Sequence, residues 1–360
     1  MRVLHIPART PYARKLIFND ISIINGTWSD GVEVPRDASF EWLVSQKTFD
    51  FFDLLHIHSV ELTSLETLQL ALERCQSERK GIILTVHDTK PNFSQDLAMY
   101  NLALKTCVEA GARIVTLTKS AAKEIVKNLE VASSDIAVIP HGAVLSIDDH
   151  RWYTRRRTQN SSTCILGMYG GFRPNRDFLT PVVNIAFGMP ELDVKLILLT
   201  RAISPIELRQ NEEMRRSIDI AISSNRINLR VYPFPSDEQI AQFLLDVSIL
   251  IMPYRWGTHS GQLEAAFDLG VVPVISDVGY YYEQYDQLRE FVEEPVWFNW
   301  SDGNEYAYGA RLLEALYQGL ERAQNIQDSR ERLHRQRIIE HQEILSSYCS
   351  LYQLAVQGAK

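Results

Sequence analysis

The sequence predicts an α/β protein of two Rossmann-like domains, each a parallel sheet with helices on both faces, and three observations carry that prediction. Short apolar runs alternate with longer amphipathic stretches in units of roughly 30 residues, the spacing of strand-helix-strand repeats. The alternation stops once, in a polar stretch near residue 150, and then resumes. At 360 residues the chain exceeds one ordinary core and suits two domains of about 150 to 200 residues each. Two such domains imply a cleft between them.

The elements follow in order. "RVLHI", "FDLLHIHS", "GIILTVHD", "ARIVTLT" and "IAVIP" read as buried strands. Between them, "LETLQLALERCQSERK", "QDLAMYNLALKTCVEAG" and "SAAKEIVKNL" read as helices, and residues 1–145 form the first domain. "HGAVLSIDDHRWYTRRRTQNSS" is charged and rich in turn formers, so residues 146–162 are expected to be a linker. The second domain, 163–335, opens with "TCILGMYGG" and continues through "DVKLILLT", "INLRVYPFP", "DEQIAQFLLDVSILIMPY" and "VVPVISD". "ARLLEALYQGLERA" and "IIEHQEILSSYCSLYQLAVQ" place apolar residues three and four apart, and a last helix, 336–360, is expected to pack back on the first domain.

Composition excludes several functions. No apolar run approaches the roughly 18 residues of a membrane span. "MRVLHIPART" enters a strand at once and lacks a signal peptide's long apolar segment, so a cytoplasmic protein is expected. Cys75, Cys107, Cys164 and Cys349 show no paired spacing and read as buried free thiols. A net charge of -8 speaks against a nucleic-acid partner, whose phosphates demand a basic face. Residues 9–18, "RTPYARKLIF", and 151–158, "RWYTRRRT", mix basic and aromatic residues as membrane-surface patches do. Solvated helix and linker faces explain them more simply, with peripheral contact at the inner membrane face as the alternative.

Ligands of open parallel sheets bind beyond the carboxyl ends of the strands, so strand ends carry the chemistry. After "CILGMY" comes "GGFRPNRDF", where Gly170 and Gly171 allow close backbone approach and Arg173 and Arg176 supply two fixed charges, a combination that suits a diphosphate. A glycine turn with two solvated arginines is the plainer explanation. "YRWGTHSGQLEAAF" follows the strand "SILIM", and a helix capped by Ser260 would leave the amides of Gly261, Gln262 and Leu263 unpaired as an anion site. Glu264 lies one position too far along for a capping box; compensation of the helix dipole in the first turn is the plainer explanation, whereas a carboxylate there can also accept hydrogen bonds from a sugar's hydroxyl pair. His87, in "TVHDTKP", ends a first-domain strand and is the candidate cleft histidine, with a structural role the commoner one for a lone histidine at a strand end. His56 and His58 share a strand face, but no nearby third ligand completes a metal site. No P-loop, G-x-G-x-x-G, G-x-S-x-G or D-x-D occurs, so protein groups alone must neutralise a diphosphate and no metal is expected. Tyr232 and Phe234, in "VYPFP", are candidates to stack on a base, with core packing equally open.

In this order the motifs resemble the GT-B glycosyltransferases, most closely the family-four group of nucleotide-sugar-dependent enzymes. The resemblance spans "RVLHI", "FDLLHIHS", "TVHD", "IVTLTKSAAKEI", "IAVIPHGA", "YGGFRPNRD" and "EAAFDLGVVPVISDVG". It implies two domains facing a cleft, with donor bound mainly by the second and acceptor by the first. By position, Arg176 stands for the family's diphosphate-binding lysine. Gly171 occupies the place of its partner arginine, with Arg173 as substitute. Glu264 matches the ribose-binding glutamate, His87 the histidine that contacts the donor sugar, and His141 replaces the hinge asparagine. Trp256 stands where the first glutamate of the pair belongs. "RPNRD" and "HSGQLEAA", with His259 and Ser260, also resemble bacterial exopolysaccharide mannosyltransferases that invert the anomeric centre and lack the same acid.

The expected function is sugar transfer from a nucleoside diphosphate sugar to an acceptor hydroxyl of a glycan, a lipid-linked acceptor or a small molecule. The expected catalytic set is His87, Arg173, Arg176 and Glu264. The donor would lie against Gly170, Gly171, Tyr232, Trp256, His259, Ser260, Gly261, Gln262 and Glu264. Retention is preferred; inversion would make His87 the general base. A nucleotide-sugar epimerase and a non-catalytic binding protein are the other two readings.

Overall fold

The computed structural model describes residues 1–8, 11–17, 20–94, 96–155, 164–190, 192–201, 203–232, 235–300, 305–325 and 329–359. The chain divides into two compact units, Met1–Gly142 with Ile338–Lys360, and Ala143–Arg337.

The first unit contains β1 (Arg2–Ile6), β2 (Ser22–Ile23), β3 (Trp28–Ser29), β4 (Val32–Glu33), β5 (Leu54–Ile57), β6 (Gly81–Val86), β7 (Arg113–Thr116) and β8 (Ile136–Val138). Six of these form a parallel sheet in the order β2-β1-β5-β6-β7-β8, while β3 and β4 make a small antiparallel hairpin. Every residue of β5 and β6 is buried, which is why both read as continuous apolar runs. Leu65–Ser77, Leu97–Glu109 and Lys119–Leu129 are helices capped by the side chains of Ser64, Asp96 and Thr118. Phe49, Phe51, Phe52, Leu68 and Leu72 build one side of the core. On the other, Ile344, Tyr348 and Tyr352 of the helix Arg330–Gly358 pack against Val3, Ile83 and Val115.

The second unit contains β9 (Cys164–Tyr169), β10 (Val194–Arg201), β11 (Ile227–Tyr232), β12 (Ile249–Met252), β13 (Val272–Ser276) and β14 (Val296–Phe298). Their order, β11-β10-β9-β12-β13-β14, is parallel throughout and reverses direction between β9 and β12. Val182, Ile185, Leu312 and Leu316 cover one face, and Phe243, Leu244, Leu263 and Phe267 contribute to the core on the other.

Three expectations change. The stretch read as linker is partly packed, because Trp152 and Tyr153 are 3% and 2% exposed in the second unit's core; residues 156–163 lie outside the described residues. Burial of Trp152 and Tyr153 takes the aromatic residues of the second proposed membrane patch into the core, and Tyr12 of the first patch is buried as well; Arg9, Thr10, Phe18 and residues 156–158 lie outside the described residues. Among the described residues no helix is long and apolar enough to cross a membrane. Of the four thiols only Cys75 and Cys107 are buried, and burial pushes both up to about 12; Cys164 and Cys349 are partly exposed.

Candidate functional site

The reversal between β9 and β12 makes their carboxyl ends the place where adjacent crossovers diverge and leave a crevice. Two loops meet there, and their backbones pair. Asp177 N donates to Pro253 O at 2.9 Å, Arg255 N donates to Asn175 O at 2.8 Å, and Arg176 and Tyr254 form an antiparallel bridge. Asn175 Nδ2 adds a bond to Trp256 O at 3.4 Å. "GGFRPNRDF" and "YRWGTHSG", distant in sequence, thus form one structure.

Arg176 occupies its centre. Nη1 donates to Tyr169 O at 3.3 Å, Nη2 donates to Tyr254 OH at 3.1 Å, and the guanidinium carbon lies 4.9 Å from the Tyr254 ring centroid. These partners are neutral, and no carboxylate pairs with Arg176 among the described residues; its buried Nε has no hydrogen-bond partner there. Gly170 makes the arrangement possible. Its φ is +123°, and a Cβ on it would overlap Arg176 Nη1 and lie 2.9 Å from Gln262 Nε2. Arg173 approaches Gly171, where a Cβ would be 4.0 Å from its Nε.

Ser260 caps the helix Gly261–Asp268: its Oγ accepts from Gln262 N at 3.2 Å and lies 2.8 Å from Tyr254 OH. Leu263 N donates to Ser260 O at 3.1 Å. The expectation of three unpaired amides therefore reduces, among the described residues, to one, Gly261, because the cap and a tight first turn satisfy the other two. The Gln262 side chain bridges the loops, with Nε2 2.6 Å from Tyr169 O and Oε1 3.2 Å from Tyr254 OH.

Glu264 is 4% exposed and engaged at both oxygens. Arg337 Nη2 donates to Oε2, and Gln284 Nε2 donates to Oε1 at 2.7 Å, with His259 Nε2 3.5 Å from the same oxygen. Burial opposes its ionisation, but Arg337 and His259 together outweigh burial and hold the carboxyl below the usual range. Asp268, one turn on, accepts from Arg337 Nε at 2.8 Å and Val144 N at 3.3 Å; burial, reinforced by Glu264, drives it up to about 6 against the pull of Arg337. Gln284 also holds Ser260 at both backbone atoms, at 3.1 Å and 2.8 Å.

The structure therefore brings Gly170, Arg176, Ser260, Gly261 and Gln262 together, with Gly171, Arg173 and Trp256 on the same two loops and Glu264 and His259 in the layer beneath. Tyr232 ends β11, two strands from β9, half-buried and packed against the core; Phe234 lies outside the described residues. Tyr254, Gln284 and Arg337 are missing from the sequence reading. Tyr254, at a strand end, carried a positional signal; Gln284 and Arg337 carried none.

In the first unit His87 belongs to a histidine cluster. His5 Nδ1 lies 2.8 Å from His58 Nε2, and His58 Nδ1 lies 3.4 Å from His87 Nε2. The third imidazole that the sequence does not place beside His56 and His58 is His5, directly opposite His56 on β1, with candidate ligand atoms of the three within 4.8 Å of one another. His56 already spends both nitrogens on hydroxyls, Tyr352 OH at 2.7 Å and Thr85 Oγ1 at 2.8 Å. Burial holds His5 down to about 3 and His56 and His58 well below their ordinary value, so all three are neutral. His141 is buried, its Nδ1 2.9 Å from Gly142 O.

The fold is that of the GT-B glycosyltransferases. HepE from Anabaena, solved in complex with UDP-glucose, superposes with a TM-score of 0.62 at 13% identity, over 97% of this chain and 100% of that one. Sucrose-phosphate synthase from Thermosynechococcus elongatus gives 0.62 at 15% identity, over 91% and 82%. The catalytic domain of starch synthase IV from Arabidopsis thaliana, bound to ADP and acarbose, gives 0.55 at 13% identity, over 85% and 73%. No protein-family model matches the chain. No curated protein matches it in sequence.

Proposed function

We propose that this chain is a glycosyltransferase that moves a sugar from a nucleoside diphosphate donor to an acceptor hydroxyl, with the diphosphate held by the second unit. The observation that carries the reading is Arg176, a guanidinium whose partners among the described residues are all neutral, at the switch point between β9 and β12. Glycosyl transfer builds negative charge on the departing diphosphate, and fixed donors aimed at that charge lower the barrier. Arg176, Arg173 and the Gly261 amide at the positive end of its helix are such donors. The reading needs no metal, because these groups supply the neutralising charge.

Retention of the anomeric configuration is the preferred course. It fits the fold shared with HepE in complex with UDP-glucose and with a trehalose-6-phosphate synthase studied for transfer with retention. Turnover tests the function: nucleoside diphosphate release from UDP- and ADP-sugars, with and without glycan, lipid-linked and small-molecule acceptors. Acceptor-dependent release, lowered at least about tenfold in Arg176→Ala, is expected. An altered sugar formed from donor alone would instead indicate an epimerase, and no turnover with tight nucleotide binding a non-catalytic protein.

A further inference from the structure

Arg255 joins the two paired loops, and its partners are unlike those of Arg176. Its N donates to Asn175 O at 2.8 Å, Nη1 donates to Pro174 O at 3.3 Å, and Nη2 donates to Glu213 Oε2 at 2.6 Å. The guanidinium carbon also lies 5.6 Å from the Trp300 ring centroid. Arg255 therefore grips residues 174 and 175 by both backbone and side chain, while a carboxylate holds its other arm. Glu213 stands in the first turn of the helix Glu212–Ser223, which the Asn211 side chain caps and which buries Met214, Ser217 and Ala221. Arg176 sits between two residues fixed by these contacts. Asn175 is held by Arg255, and Asp177 donates from its N to Pro253 O at 2.9 Å and accepts from Thr180 N at 3.1 Å.

We infer that Glu213 and Arg255 are positioning residues of the diphosphate site: their ion pair ties both loops to the helix Glu212–Ser223 and so sets where the Arg176 guanidinium meets the ligand. Stability does not explain the pair, because its side chains are 27% and 33% exposed and ion pairs so exposed contribute little. The titratable and charged groups around Glu213 are Arg255, Asp177 and Tyr308. Burial and the neighbouring Asp177 disfavour charge on Glu213, and they outweigh the pull of Arg255, so its carboxyl is raised above the ordinary value. What a carboxylate adds there is direction. A planar fork held at one arm by Glu213 aims the other at Pro174 O, whereas a lysine carries the same charge with no second arm. A supporting layer that lets the loop drift by about 1 Å loosens the site built on it. This inference rests on the donor reading above, because Arg176 is the group that the clamp positions.

Calorimetric titration of the full chain with UDP, GDP, ADP and dTDP tests it, on wild type, Glu213→Gln, Arg255→Lys and Arg176→Ala, because charge and geometry predict different results. By charge alone, Glu213→Gln removes a negative group near an anion site and tightens binding, and Arg255→Lys leaves it unchanged. Positioning predicts that both variants bind the diphosphate at least about threefold more weakly than wild type, with melting temperatures close to it. Protonated Glu213 is equivalent to glutamine, so the gap between wild type and Glu213→Gln should be widest near about pH 8 and narrow toward about pH 5. A packing defect would keep the same gap at every pH. Binding by Glu213→Gln that equals or exceeds wild type, unchanged binding by Arg255→Lys, or a gap that ignores pH overturns the clamp, and the donor reading stands if Arg176→Ala is still weakened. Absence of any nucleotide binding to wild type overturns both.

Discussion

Arg337 is 1% exposed and neutralises two buried carboxylates at once, Glu264 and Asp268. Taking three charges out of water is costly, and only their mutual pairing offsets that cost. Removing the arginine leaves two buried acids uncompensated, so Arg337→Met should lower stability by about 3 to 5 kcal/mol, read as a shift in the urea midpoint. Asp268 is the acid closer to protonation, raised to about 6, so Asp268→Asn copies a form the site already tolerates and should cost much less. Equal losses in the two variants would contradict this division of charge. At this scale the sequence is half legible. Glu264 stands out because a cap does not explain it, but its partner lies 73 residues away with no local pattern to mark it. Arg176 is legible as a charge after a glycine turn; that its partners are all neutral depends on Tyr254, which joins only through sheet order.

Strand register brings His5 opposite His56, and the cluster makes an acid-sensitive element of β1 and β5. The unfolded chain titrates these histidines near 6.5, whereas burial lowers His5 to about 3 and His56 and His58 well below 6.5. Between those values the unfolded chain takes up protons that the folded chain refuses. Stability from this source is therefore complete above pH 6.5 and falls as pH drops through 6.5, by up to about 1.4 kcal/mol per pH unit per histidine. Exchange of the β1 and β5 amides between pH 7.5 and 5.5 should show this loss, and His5→Leu should reduce its slope by roughly a third; a slope that His5→Leu leaves unchanged would contradict the assignment. Elements were legible where burial is uniform: β5, β6 and β12 read as strands because every residue is apolar or enclosed. The two-residue strands β2, β3 and β4 are too short to impose a period. Pairing of residues 175–177 with 253–255 was invisible because it follows from which strands lie side by side.

The chain's second unit is continuous in sequence, Ala143–Arg337, whereas the first recruits Ile338–Lys360 to finish its core. The proposed diphosphate groups, from Gly170 to Gln262, all fall within the continuous unit. Fold class was legible at this scale because repeated strand-helix alternation is a global pattern, and the 13 to 15% identity to solved GT-B structures shows how little else has to be kept. The boundary was less legible: Trp152 and Tyr153 sit in polar surroundings in the sequence yet belong to a core. The central claim is that the second unit binds a nucleoside diphosphate through Arg176. Calorimetric titration of the full chain with UDP, GDP, ADP and dTDP, on wild type and Arg176→Ala, tests it most directly. The account predicts selective binding of one nucleotide, weakened at least about tenfold in the variant while its melting temperature stays close to wild type. Failure of all four to bind, or equal binding by Arg176→Ala, would contradict it.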